Sequence, residues 1–313
     1  MRKESRLRHA KNQMKYLTGF MMAWGNFCSL PCPAKRWDNN YTSLMLGFLP
    51  LIGLVIGIIW SAIYFGLVYL GFPFFVVAFL ITFLPFALCG FMHMDGFMDC
   101  CDAIMSRRPL EERQRILKDS NTGAFAVVSM IFLILGYFCF LSTAVTTGVD
   151  FANMIMIVVL SRAVSGLHVL ICKPMGQSQY AQMQEETKAL VNSEVLEAAE
   201  SSEIVETAES SEESEEMANC ETDEKAEEPA ASKKSTTKQG IILLCILLAI
   251  ISALAFRFSS YLIATALVSA FTALGCLIAI QYAKKNLGGM SGDIAGFGII
   301  WGELMGVFAL VLC

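Results

Sequence analysis

Long apolar runs, separated by short polar joints, set the plan of this chain. Residues 44–70 form the first clear run and 72–92 the second, with Pro85 placed to kink it. A polar, charged stretch follows at 93–122. Apolar runs resume at 123–147 and 151–172, joined by a short turn around Gly148. Residues 239–282 hold one charge, Arg257, near their middle. At ~20 residues per crossing that length makes two spans and a tight turn. A polar joint at 284–293 leads into the last run, 294–313, which carries Glu303. The pattern predicts an all-α fold: a polytopic integral membrane helix bundle of about seven transmembrane helices.

Two segments fall outside this rhythm. Residues 1–18 are basic, with Arg2, Lys3, Arg6, Arg8, Lys11 and Lys15, and 19–33 are apolar but short and end in Pro31 and Pro33. That composition suits an interfacial segment better than a span. Residues 174–238 form a long polar connection. Within it Glu194, Glu197, Glu200, Glu203, Glu206 and Glu209 recur every third residue, a spacing at which like charges repel on a helix. A disordered acidic loop is expected over 185–236. The chain then divides into 1–43, a membrane part 44–184, the acidic insertion 185–236, and a second membrane part 237–313.

Composition agrees and sharpens the picture. The chain is 55% hydrophobic and 16% charged, with mean hydropathy +0.56, which excludes a disordered protein, a small disulfide scaffold and a basic nucleic-acid-binding domain. The net charge of −5 averages two unlike parts. Residues 185–234 carry most of the acids, and the remainder is basic. The scattered cysteines read as small buried hydrophobes, since no second pair or nearby His completes a zinc set around Cys28 and Cys32. Basic residues gather in the N-terminus, in 93–122 and at Lys284 and Lys285. With seven spans all three lie on one face, which the positive-inside rule makes cytoplasmic. A multi-pass protein of the inner or plasma membrane is expected, embedded in the lipid bilayer, with its N-terminus and active site inside.

Because acids are scarce outside the insertion, those beside apolar runs stand out. Residues 93–102 read HMDGFMDCCD. Asp95, Asp99 and Asp102 are spaced four and three apart, which places them on one helical face. Three carboxylates on one stripe repel unless a cation sits among them, and an all-oxygen set points to Mg²⁺ or Mn²⁺. Downstream, Arg107, Arg108, Arg113, Arg115 and Lys118 surround Asp119, a combination suited to a metal-bound polyphosphate. A third cluster, GGMSGDIAGFGIIWGEL at 288–304, contributes Asp293 and, ten residues on, Glu303; its glycines serve either close backbone approach to a ligand or span packing. His93 stands beside Asp95 as a general base or a partner to the ligands. Arg162, inside an apolar span, needs an anionic partner, either one of these acids or a substrate phosphate.

At these residues the sequence resembles the cobalamin synthase family (adenosylcobinamide-GDP ribazoletransferase). The similarity runs through the H-x-D-G-x-x-D-x-x-D stretch from His93 to Asp102, the Lys118-Asp119-Ser120 to Gly123 element, the Ser161-Arg162 pair, and Gly288 to Glu303. It covers about 20–182 and 239–313. Two departures are visible: the connection after Arg162 runs into the acidic insertion, and no second glycine follows Gly123. The resemblance implies an Mg²⁺-dependent transferase joining adenosylcobinamide-GDP to α-ribazole, or its 5′-phosphate, with release of GMP, the last assembly step of cobalamin. It also implies possible company with other corrinoid-assembly enzymes, and no nucleic-acid partner. On this basis Asp95, Asp99, Asp102 and Asp293 are expected to hold metal. His93, Asp95, Asp99 and Arg162 are the expected catalytic set. Lys118, Asp119, Arg107 and Arg162 are expected around phosphate, and Glu303 is a further candidate.

Three rival readings are less well served. A CDP-alcohol phosphotransferase expects D-G-x-x-A-R, whereas Asp95-Gly96 is followed by Phe97-Met98-Asp99. A UbiA-like prenyltransferase expects an N-D-x-x-D core, which is absent. A cation-coupled transporter would not need acids clustered on one face beside a basic loop.

Overall fold

The computed structural model describes residues 2–176 and 222–313. Among the described residues there are eleven α-helices: α1 (Arg2–Phe27), α2 (Thr42–Gly47), α3 (Leu49–Tyr69), α4 (Phe74–Leu88), α5 (Met92–Met105), α6 (Leu110–Ile116), α7 (Ala124–Thr147), α8 (Phe151–Ile171), α9 (Thr222–Phe258), α10 (Leu262–Leu287) and α11 (Gly292–Leu312). Six stretches are long and apolar enough to cross a bilayer: α3, α7, α8, Thr236–Phe258 of α9, α10 and α11. At 1.5 Å rise per residue each reaches ~30 Å or more. A seventh is reached if α4 and α5 count as one crossing; they qualify only as a pair and are bent by 89° against each other.

That bend does not sit at Pro85, as the sequence suggested. Pro85 lies inside α4, and the chain turns three to six residues later. Gly90 (φ 61°) and Phe91 (φ 60°) are consecutive left-handed residues, and they swing α5 away from the path of α4. The stretch just after α1 holds the turn: Ser29 N–H donates to Leu88 O at 2.8 Å and Ser29 Oγ to Ala87 O at 2.9 Å. We read α4 as the hydrocarbon part of this crossing and α5, with its three aspartates, as turned along the membrane face.

Small residues let the spans approach. Gly53 and Gly57 of α3 lie against the α8 backbone, where an added Cβ would meet Val158 O at 2.9 Å and Ile155 Cα at 3.0 Å. On α11, Gly298, Gly302 and Gly306 face Ile280, Cys276 and Thr272 of α10. Both rows step by four residues, so one ridge runs along the other with no side chain between. α11 is thereby the most enclosed span, packed against α5, α7, α8 and α10.

The two ends of the bundle differ chemically. One gathers α2, α5, α6, the start of α7, the end of α8, and the α10–α11 joint. There Met175 N–H donates to Met290 O, and Met290 N–H to Lys173 O. The other end ties Val149 N–H to Tyr64 Oη and Ser259 Oγ to Asp150. Lys15, Arg113, Lys118, Lys173, Lys284 and Lys285 all belong to the first end, and Arg257 to the second.

Two sequence expectations change. The basic tail and the apolar segment after it form one helix, α1, rather than separate pieces. The acidic insertion lies outside the described residues as far as 221. From Thr222 the backbone is helical and runs on into the span, so the last part of the expected loop is the start of α9. Ala, Glu and Lys dominate 222–236, and all three favour helix.

Candidate active site

The site begins with a backbone approach. α5 crosses the first turns of α11 at two glycines. A Cβ on Gly96 would meet Asp293 Cα at 2.8 Å, and one on Gly296 would meet His93 O at 3.1 Å. Phe97 stacks on Phe297, with centroids 5.6 Å apart and planes within 14°, and closes the far side of the crossing. A side chain at either glycine would push the helices apart. Glycine there serves span packing, and its consequence is to set Asp293 beside the aspartates of α5.

Asp95 is exposed, while Asp99 and Asp293 are half-buried. Asp99 is pushed up to about 7, first by burial and then by the negative charges of Asp95, Asp293 and Asp102. Like charges are therefore gathered from two helices. Ser291 caps α11, accepting from Ile294 N–H at 3.3 Å and reaching Asp293 Oδ2 at 3.4 Å. Among the described residues no three His, Cys, Asp or Glu groups are already close enough together to hold a metal ion.

Asp102, expected among the metal ligands, is occupied elsewhere. It is 9% exposed. Its Oδ2 accepts from Gly123 N–H at 2.5 Å and its Oδ1 from Ala126 N–H at 2.9 Å. It neutralises the free amides and positive dipole end of α7. Gly123 is required at that point because a Cβ would lie 2.6 Å from the same carboxylate. The glycine of the Lys118–Gly123 element is explained by the helix cap and not by a ligand.

The basic rim stands beside the carboxylates. Glu111, Gln114, Arg115, Lys118 and Asp119 line an open cavity of about 480 Å³. α6 is held over the α10–α11 joint by Gln114 Nε2 donating to Leu287 O at 2.8 Å and Arg113 donating to Asn286 Oδ1 at 3.1 Å. Lys118 lies near enough to Asp293 to act on its charge. Asp119 Oδ1 accepts from Asn121 N–H and Nδ2, and these bonds hold its carboxyl below the usual range. It shapes its own loop. Arg107 is exposed, in a left-handed conformation at the end of α5.

Arg162, Glu303 and His93 are not on this face. Arg162 is 0% exposed and Glu303 2%. Arg162 Nη1 donates to Glu303 Oε1 at 2.5 Å, and Nη2 lies 2.9 Å from Cys89 Sγ. Ser161 Oγ and Tyr137 Oη complete the surroundings of Glu303 at 3.3 and 3.5 Å. The sequence left two partners open for Arg162, and the one it meets is Glu303. A guanidinium enclosed this way cannot reach a phosphate at the membrane face. His93 is also buried. Two residues on a helix are ~200° apart, so it projects to the side of α5 opposite Asp95 and does not join the carboxylates.

Sequence reasoning missed Cys89, Tyr137, Gly96 and Gly296. The two glycines had a signal: each lies in a motif already singled out, at a position where only a missing side chain permits two helices to meet. Cys89 and Tyr137 had none, for nothing distinguishes them from neighbouring apolar residues.

A family model described as cobalamin-5-phosphate synthase matches residues 19–199 and 217–311. Its break falls inside the acidic insertion. The chain is 30% identical over 289 residues to the adenosylcobinamide-GDP ribazoletransferase of Clostridium perfringens strain 13, covering 92% of this chain and 95% of the relative. It is 28% identical over 295 residues to that of Clostridium botulinum strain Alaska E43, covering 94% and 97%. Over a shorter stretch of 115 residues, 37% of this chain and 46% of the relative, identity to the enzyme of Clostridium botulinum strain Eklund 17B reaches 45%. No solved structure matches.

Proposed function

Because the chain belongs to the cobalamin-5-phosphate synthase family, we propose that it joins adenosylcobinamide-GDP to α-ribazole or α-ribazole 5′-phosphate. The products are adenosylcobalamin or its 5′-phosphate, and GMP. A ribose hydroxyl oxygen bonds to the phosphorus attached to cobinamide. The bond from that phosphorus to the bridging oxygen breaks, its electron pair leaves with GMP, and the hydroxyl proton passes to solvent past the exposed Asp95.

The single observation behind this reading is the meeting of Asp95, Asp99 and Asp293 from two helices at one membrane face, with Lys118 acting on Asp293. A pyrophosphate needs positioning and charge neutralisation more than covalent help. The residues fit Mg²⁺, with Mn²⁺ as a substitute: hard carboxylate oxygens, and a mutual repulsion that adds to burial in pushing Asp99 up to about 7. Mg²⁺ characteristically takes one or two carboxylates and completes its shell with substrate phosphate and water, which suits a site with no closed set of three. When bound, it neutralises charge on the pyrophosphate. Asp95, Asp99 and Asp293 orient it, and Lys118, Arg115 and Arg107 attract the GMP end. The basic residues at this end support a cytoplasmic face, in the plasma or inner membrane.

The test is membranes carrying the chain, supplied with adenosylcobinamide-GDP, α-ribazole and Mg²⁺, with a chelator control. Metal-dependent cobalamin and GMP are expected. An inserted, folded protein that makes neither product, with α-ribazole 5′-phosphate also tried, would overturn the assignment.

A further inference from the structure

We propose that Arg162 and Glu303 form a positioning pair: by holding Cys89 at the α4–α5 turn, they fix α5 against α11 and so set the separation of Asp95 and Asp99 from Asp293. The proposal rests on the transferase reading for its catalytic consequence, but not for its structural one.

The pair joins the elements that carry the site. Glu303 lies on α11, ten residues after Asp293 on the same rigid helix. Arg162 comes from α8, and its Nη2 meets Cys89 Sγ, the residue at which α4 ends. Three residues later the chain has turned by 89° and α5 begins. Tyr137 brings in α7, whose start is capped by Asp102 of α5. The same short helix is thus fixed at one end through Cys89 and at the other through Asp102. Between them, Gly96 and Gly296 allow backbone contact with α11. At left-handed Gly90 and Phe91 the backbone bonds are local, Gly90 N–H to Ala87 O and Phe91 N–H to Phe86 O, and neither reaches α11. The orientation of α5 must therefore come from packed partners, and the only ion pair shown at this depth among the described residues is the one that reaches the turn.

A charged pair in a dry interior is not required for stability, since apolar residues of similar size often replace one without loss. That makes the idea testable. The full chain is compared with Arg162→Met/Glu303→Met in lipid nanodiscs, following hydrogen exchange by mass spectrometry and, separately, turnover. The double variant is expected to insert and stay folded. Exchange is expected to rise about tenfold in 92–105 and to stay unchanged in α10. The kcat should fall by about tenfold or more while KM moves little. Cys89→Ala, which keeps the ion pair, should give a smaller rise confined to the same segment, and it serves if the double variant does not fold. Wild-type exchange at 92–105 in both variants overturns the proposal. So does protection lost evenly across all helices, which would mark the pair as merely structural. If the wild-type chain makes no cobalamin, the transferase reading fails, and exchange at 92–105 alone decides the positioning role.

Discussion

Two groups of charges lie within one bundle, and they are built on opposite rules. At the membrane face, Asp95, Asp99 and Asp293 carry the same sign, are partly open to water, and are pressed together by glycine contacts. Deeper in, Arg162 and Glu303 carry opposite signs, are closed off from water, and are bonded to each other and to Ser161, Tyr137 and Cys89. A buried charge is tolerated only when its partner is present, so the inner pair is complete as it stands. The outer group gathers like charge, offset at Asp293 by Ser291 and Lys118. The inner arrangement holds helices together, and the outer one is where we propose that the substrate's charge is met.

The contrast is broken most severely by neutralising the outer group. Asp99→Asn or Asp293→Asn should lower turnover by on the order of a hundred- to a thousandfold, with insertion and melting temperature unchanged or raised, because a repulsion is removed. Assays on matched membrane preparations, with detergent melting curves alongside, check both halves. Next in size is Glu303→Gln. It strands Arg162 in the interior and should cost about 3–5 kcal/mol of stability, seen as a large drop in melting temperature. Pairing it with Arg162→Met should recover most of that loss.

Asp102 tests the boundary between the two groups. It is an aspartate of the outer stripe by sequence but a helix cap by contact. Asp102→Ala should cost about 1–2 kcal/mol and leave the metal requirement of the reaction where it was. A shifted Mg²⁺ half-saturation would return Asp102 to the ligand set.

The smallest effect is on pH. Asp99 sits at about 7 in the folded chain, against an ordinary carboxyl of 3.8. Between those values the folded state holds a proton that the unfolded chain has released. Metal-free protein should therefore lose stability as pH rises through that window, and Asp99→Asn should flatten the dependence. Melting curves in chelator from pH 5 to pH 8 measure it directly.

Most of the spans were legible because their evidence is local. Residues 123–147 and 151–172 match α7 and α8 to within a residue, since an uninterrupted apolar run has one reading in a bilayer. The α4–α5 bend was not legible, because Pro85 looks like the breaker while Gly90 and Phe91 do the turning. The site was half-legible. The stripe of Asp95 and Asp99 follows from helical spacing alone. That Asp102 leaves the stripe for the α7 amides, and that His93 faces away, depends on what lies alongside α5.

The sequence alone determined the membrane bundle and the kinds of residue that carry charge, because these follow from composition and spacing along one helix, and its motifs carried the resemblance to the family. Only the tertiary structure decided who meets whom. It brought Asp293 to Asp99 through Gly96 and Gly296, far apart in the chain, and it gave Arg162 to Glu303 rather than to a phosphate. A charge in a low-dielectric interior takes the nearest partner that the packing supplies, and packing between helices is not written in the spacing of either one.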